Sequence, residues 1–440
     1  MNNLQIGFAR VNVTPMMGIG MSGYYSERKA DGVLDNLELL ALAVSDGTNK
    51  ALLVSLDNLG IKRDCILAYK KHITEVTGVP ADAIYIHATH IHTGPSLEKD
   101  SGDILMDEYY QFLYRKMADV CAFALEDLKP AKMGIGVTQA PEISFIRRFL
   151  MKDGTTQTNP GINNPDIVSP IGEPDHRVNL LRFDREGGDH VLLVNYGTHP
   201  DVVGGCKFSA DWPGHLRRQL ERAIPDCKCI FFNGAQGDVN HINVHPDPDM
   251  PATLVKYAYS QYMGRVLAGT VMQIYDRVKY MDVPSIRFKQ GTIRVPANLP
   301  KPEDMPEAHR IHDIWKAGRD KELPYRGMMK VTVIAEAKRM VDYEHGPEFF
   351  ELEVSAVALG NVAMVGLPGE AFTGIGTALK ETPGWDLILP TCSTNGYEGY
   401  LPMEDAFGEG GYESRSSRYK PGVAEKLIEE GKKLLADLAE

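Results

Sequence analysis

The chain has 440 residues, 43% hydrophobic and 24% charged, which allows one large domain or two to three ordinary ones and excludes wholesale disorder. Its net charge of −12, with no stripe of Lys and Arg, excludes nucleic acid as the main partner, because phosphate binding needs clustered cations. The opening MNNLQIGFARVNVTP lacks the basic start and apolar core of a secretory signal, and no apolar run is long enough to span a bilayer. A cytoplasmic protein without stable membrane insertion is expected. The cysteines at 65, 121, 206, 227, 229 and 392 contain no CxxC pair and are expected to be reduced.

In chain order, ALLVSLDNLG (51–60) predicts a strand and DCILAYKKHITEVTG (64–78) an amphipathic helix. AIYIHAT (83–89) is the next strand, followed by a long helix near 106–128. HVLLVNYGT (190–198), WPGHLRRQLERA (212–223) and CKCIFFNG (227–234) repeat the strand–helix–strand rhythm. FFELEVSAVALG (349–360), NVAMVGLPGE (361–370), a helix near FTGIGTALKE and the strand LILPT (387–391) follow. A Lys/Glu-rich helix from about Val423 closes the chain. This predicts an α/β fold with a mixed β-sheet core and flanking helices. Two polar stretches, near 145–185 and 296–330, read as insertions of the lid or binding-loop kind. No composition shift divides the chain, so a single domain over 1–440 is expected.

Chemistry concentrates at strand ends. In IHATHIHTGPS, His90 and His92 share a face of an extended segment, as a borderline-soft cation requires. In NYGTHPD, His199 repeats the arrangement of His90: an apolar strand, a Thr, then His at the carboxyl end, where open α/β sheets bind ligands. Glu370 in VGLPGEAF follows a strand and opens a helix, a position that the helix dipole alone also favours. Tyr397, Tyr400 and Tyr412 lie in a glycine-rich loop after LILPT and suggest a binding surface. The turn FFNGAQGDVNHIN (231–243) contains Asp238, Asn240 and His241 but no Ser, Thr or Cys.

THIHTGP, NYGTHP, NGAQGDVN, LPGEAFTGIG and NGYEGY, in that order, resemble the motifs of the neutral/alkaline (non-lysosomal) ceramidases, and GFARVNVTP followed by GYYSE resembles their opening. The resemblance runs from Gly7 to about Ser417. It implies a neutral-ceramidase-like catalytic domain without the family's C-terminal immunoglobulin-like domain. It also implies one catalytic zinc per chain, held by His90, His199, Glu370 and Tyr400, with Ala371 where the family has Phe. His92 then corresponds to a histidine behind the ligands or against the substrate. Arg147 in SFIRRFL is similar to a family arginine preceded by Asn; Ile146 stands in that place, which leaves Arg148 as the alternative. With Arg147, Tyr397 and Tyr412 are expected on the substrate side. Two neutral imidazoles and one carboxylate would leave net positive charge, enough to bring a water's pKa to about 7. Asp57 and Asp211 are candidates for orienting the imidazole N–H groups, against helix capping as the plain role of each.

The departure from the family lies in the turn. Where ceramidases keep a nucleophilic serine this chain has Asn240, and no serine lies between Ser209 and Ser260. The expected activity is therefore a zinc-dependent hydrolase acting on an amide or ester bond of a soluble polar substrate through metal-activated water. Asn240 would orient the substrate, and His92, Asp238 or His241 would move protons. The alternatives are a metal-assisted lyase or isomerase on a small polar, carbohydrate-like metabolite, and a metal-binding protein without catalysis. Barrel-shaped amidohydrolases also use HxH, but they complete the set with single histidines and an aspartate rather than a glutamate and a tyrosine loop. Neither insertion carries an apolar run suited to a long acyl chain, so ceramidase activity itself is not expected. The partners are a small-molecule substrate and, as an open possibility, further copies of the chain.

Overall fold

The structure, a computed structural model, describes residues 3–251 and 253–439. The apolar runs form buried strands. One continuous path has the order Cys227–Asn233, His190–Tyr196, Arg177–Arg185, Lys129–Gln139, Gln5–Asn12, Glu38–Ser45, Lys50–Leu56, Ile84–Ala88. The short strand Lys279–Met281 branches from Lys129–Gln139. The two outermost pairs are parallel and the inner pairs antiparallel. Each parallel pair needs a crossover, supplied by the helices Arg63–Thr77 and Asp211–Ala223.

The sheet curls until its two end strands meet. The Asn233 backbone N–H donates to His87 Nε2 at 2.9 Å, and the Asn233 side-chain amide donates to the Thr89 carbonyl at 3.2 Å. The Ser55 hydroxyl donates to the Phe231 carbonyl at 2.8 Å. A second sheet orders Ile286–Pro296, Phe349–Leu359, Val362–Gly366 and Leu387–Thr391, the last pair parallel. Leu52, Ile86, Phe232, Met364 and Leu389 from both sheets belong to one fully buried cluster, each worth about 1.5–3 kcal/mol of transfer from water. Joining the sheets this way brings together the carboxyl ends of Ile84–Ala88, His190–Tyr196, Cys227–Asn233, Val362–Gly366 and Leu387–Thr391.

The two polar stretches are more structured than their composition predicts. Within 145–185, Arg148–Met151 pairs with Thr156–Thr158 and Ile167–Pro170, and Arg177–Arg185 is a strand in the middle of the main sheet. The 296–330 stretch holds the helix Met305–Lys316 and the start of the helix Gly327–Asp342. Ala308, Ile311 and Ile314 pack with Val333, Ile334 and Ala337, an apolar seam hidden among charged residues. Trp315 Nε1 donates to the Tyr25 carbonyl at 2.6 Å and ties this pair of helices to the N-terminal loop. The closing helix spans Val423–Leu438. All six cysteines are unpaired, and among the described residues no helix is long and apolar enough to cross a membrane.

Candidate metal centre

His90 follows the strand Ile84–Ala88 with φ +72°, a left-handed conformation that costs a non-glycine residue about 1–2 kcal/mol. The loop after the neighbouring strand holds it there: Thr89 N–H donates to the Leu56 carbonyl at 2.9 Å and His90 N–H to the Asn58 carbonyl at 2.8 Å. His90 Nδ1 lies 2.7 Å from the Leu59 carbonyl, which can only accept, so Nδ1 carries the proton and Nε2 an open lone pair. The same logic applies to His199, whose Nδ1 donates to the Gln236 carbonyl at 3.1 Å. Glu370 is fixed through one oxygen, because the Tyr397 hydroxyl donates to Oε1 at 3.0 Å.

What remains is a triangle of acceptors. His90 Nε2 and His199 Nε2 are 3.2 Å apart, and each is 3.3 Å from Glu370 Oε2. Oε2 has no hydrogen-bond partner among the described residues, and all three side chains are buried. Lone pairs facing one another in a dry site repel unless a cation lies among them. Ligands about 2.0–2.1 Å from a tetrahedral metal are separated by roughly 3.3–3.4 Å, close to the 3.2–3.3 Å edges observed. The donor set therefore fits a metal ion. Burial disfavours the Glu370 charge, yet the facing histidines hold its carboxyl well below the usual range. Burial, reinforced by Arg147, lowers the pKa of His199.

His92 completes the group. Its ring centroid is 5.2 Å from that of His90 and 5.4 Å from that of His199, and neither buried ring nitrogen has a partner among the described residues. One nitrogen from each of His90, His92 and His199 lies within 4.8 Å of the others, so the three could hold a metal ion. Burial lowers the His92 pKa to about 3, leaving a neutral ring with one donor and one acceptor. Tyr24 covers it edge-on at 5.5 Å, Arg28 lies over the Tyr24 ring at 4.2 Å, and Arg28 Nη2 donates to the His92 carbonyl at 2.9 Å.

Tyr400 pairs in parallel register with Glu370, but its hydroxyl turns to Arg147, which donates from Nη2 at 3.0 Å. The tyrosine bonded to Glu370 is Tyr397. Arg147 also donates to the Gly237 carbonyl at 2.6 Å and pairs with the fully buried Glu413 at 2.7 Å. Arg148 points elsewhere, to Glu409 and the Gly410 carbonyl, so Arg147 is the arginine that faces the site. Tyr412 meets the Tyr400 ring edge-on at 5.3 Å.

The turn 234–243 reaches this centre through its backbone. Besides the Gln236 and Gly237 carbonyls, Gly237 N–H donates to the Ala371 carbonyl at 2.8 Å, and a Cβ at Gly237 would lie 2.4 Å from the Glu370 carbonyl oxygen. The side chains of the turn are largely committed. Both Asp238 oxygens accept from Thr373, from N–H at 2.7 Å and from the hydroxyl at 2.8 Å. Asn240 donates to Asn159 Oδ1 at 3.0 Å and accepts from Ile242 N–H at 2.9 Å. His241 Nδ1 pairs with Asp201 at 3.0 Å; burial would raise the Asp201 pKa, but that pairing holds it far below the usual range.

Of the sequence-derived residues, the structure gathers His90, His92, His199, Glu370 and Tyr397 directly. Tyr400, Arg147 and Tyr412 lie beside them, and His241 reaches the centre through Asp201. Asp238 and Asn240 lie in the same turn with their polar atoms engaged in structure. Asp57 and Asp211 do not orient the imidazoles: Asp57 forms a buried pair with Arg217, and Asp211 accepts backbone N–H groups of Val203 and Trp212. Backbone carbonyls do that work instead. Tyr24, Arg28, Asn159, Asp201 and Glu413 contact these residues as well; the GYYSE stretch was the available signal for the first, and long-range pairing leaves no local signal for Glu413.

No protein-family model matches the sequence, and no curated protein does. Among solved structures, neutral ceramidase from Pseudomonas aeruginosa aligns with a TM-score of 0.76 at 15% identity, covering 100% of this chain and 75% of its own. A ceramidase complexed with C2 aligns at 0.77 and 14% identity, covering 100% of this chain and 76% of its own. The fold is that of the neutral ceramidases. At this identity the likeness concerns fold alone, and it agrees with the fold that the five motifs implied.

Proposed function

We propose that this neutral-ceramidase fold carries a zinc-dependent hydrolase that cleaves an amide or ester bond of a soluble polar substrate with water. The observation that carries this reading is the triangle of His90 Nε2, His199 Nε2 and Glu370 Oε2. A zinc ion held there would supply a Lewis acid and lower the pKa of the attacking water to about 7. His92, neutral and with both ring nitrogens open, would accept the proton that an attacking water gives up on bonding to the carbonyl carbon, and would return it to the leaving nitrogen or oxygen as the old bond breaks. The Asp201 carboxylate, held by His241, favours the transient imidazolium. Arg147 donates to one lone pair of the Tyr400 oxygen, which leaves the other lone pair for a metal ion and the O–H to donate to the substrate oxygen. Tyr397 fixes Glu370, and Asn240 fixes the turn. No step requires a serine.

Polar walls of tyrosine, asparagine and arginine suit a polar metabolite better than a long acyl chain. Six free thiols, five of them buried, suit a reducing compartment such as the cytoplasm. Elemental analysis should find about one zinc per chain in the wild type and almost none after His90→Ala or His199→Ala. A panel of small N-acyl amides and esters should yield a hydrolysed substrate, whereas a long-chain ceramide should not. Stoichiometric metal in both variants, or ready fatty-acid release from the ceramide, would sink this reading.

A further inference from the structure

Beside the metal centre lies a cavity of about 320 Å³, bounded by the 156–161 loop, the start of the helix Gly327–Asp342, Tyr412 and Arg415. That volume suits part of a small molecule. Two residues make it a neighbour of the centre: Tyr412, whose ring meets Tyr400, and Asn159, whose Oδ1 accepts from Asn240.

Its charge is the reverse of the chain's. The protein is acidic overall, yet none of the residues around this cavity is Asp or Glu, and two are arginines. Arg415 is already paired with Glu336, at 3.0 Å through Nε. Arg326 is exposed and has no carboxylate partner among the described residues. It directly precedes the helix, whose first turn contains no acidic residue and whose N-terminus receives no side-chain cap, so backbone N–H groups there remain available to an anion. Thr156 adds an independent sign. Thr156 is 8% exposed and lines the cavity, and its hydroxyl makes no hydrogen bond among the described residues. That hydroxyl is free to donate to a ligand in the cavity.

We propose that this cavity receives an oxyanion, a carboxylate or phosphate group that the substrate carries away from its scissile bond, held by Arg326, the Thr156 hydroxyl and the helix N-terminus. Resting on the hydrolase reading, this makes the substrate class an amide or ester with its own anionic group rather than a neutral lipid.

Calorimetric titration of the full chain with succinate and, separately, with inorganic phosphate tests it, in each case with and without a chelator. At least one probe should bind saturably, whether or not metal has been removed. Binding should weaken at least tenfold in Arg326→Gln, a surface change that leaves folding intact, and in the near-isosteric Thr156→Val. Succinate alone binding identifies a carboxylate, and phosphate alone a phosphoryl group. Absence of binding by both, binding that disappears with the chelator, or unchanged affinity in both variants overturns the proposal. The titration needs no turnover, so a chain that binds the anion but hydrolyses no amide or ester refutes the hydrolase reading alone.

Discussion

His87, His90 and His92 lie within six residues, and what their ring nitrogens meet separates their roles. His90 has one nitrogen bonded and one open, and His92 has two open. His87 has none open, since Nε2 accepts from Asn233 N–H and Nδ1 meets the Ser55 hydroxyl at 3.2 Å. Burial, aided by the charge of Arg217, lowers the His87 pKa to about 3 from an ordinary 6.5. The unfolded chain therefore binds this proton at a pH where the folded chain does not. Stability from His87 is complete above about pH 6.5 and is lost as pH falls towards 3, by up to about 1.4 kcal/mol per pH unit. Denaturant titrations from pH 7 to 4 should show a steeper loss in the wild type than in His87→Gln, whose amide oxygen can still accept from Asn233. Parallel curves would contradict the assignment. Tyr397→Phe tests a different kind of control: it keeps the ring but releases Glu370 Oε1. Metal affinity measured by chelator competition should fall about 10- to 100-fold.

At the level of elements, the site depends on strand ends being held together from beneath. Arg217, on the helix Asp211–Ala223, donates to both oxygens of Asp57, at 3.0 and 2.6 Å, and to Glu38 at 3.1 Å. Arg217 and Asp57 are fully buried, so removing the Asp57 charge leaves the guanidinium with only the partly exposed Glu38 as a carboxylate partner. Asp57→Asn should cost about 3–5 kcal/mol, seen as a lower denaturant midpoint with an unchanged slope. A loss below about 1 kcal/mol would show that the pair does not brace the helix against the strands. The strands themselves were legible because buried parallel strands read as unbroken apolar runs, as in ALLVSL and CKCIFF. Their carboxyl ends predicted where His90 and His199 would stand. The braces were not legible: the Leu59 and Gln236 carbonyls orient the imidazoles, and a carbonyl has no residue signature. The helix Met305–Lys316 left a fainter trace, with Met305, Ala308, Ile311 and Ile314 at three-residue spacing among His, Arg and Asp. Its packing partners lie further along the chain and at Tyr25, so local polarity hid the face.

Across the whole molecule, a metal at this centre would join parts of the chain that are far apart in sequence. His90 ends a strand at one edge of the main sheet's path, His199 a strand near the other edge, and Glu370 comes from the second sheet's side of the core. Without a cation, the three acceptors repel across 3.2–3.3 Å while the His90 backbone remains in its left-handed conformation. Metal binding and global folding should therefore be coupled, because the unfolded chain cannot present the three ligands together. With free metal at a thousand times its dissociation constant, the folded state gains about 4 kcal/mol. Thermal melts of wild type should shift downward when a strong chelator is added and recover on addition of zinc. His199→Ala should melt at one temperature under all three conditions, close to the chelated wild type. A chelator shift of equal size in both proteins would place the stabilising metal elsewhere in the chain and remove the triangle's claim to it.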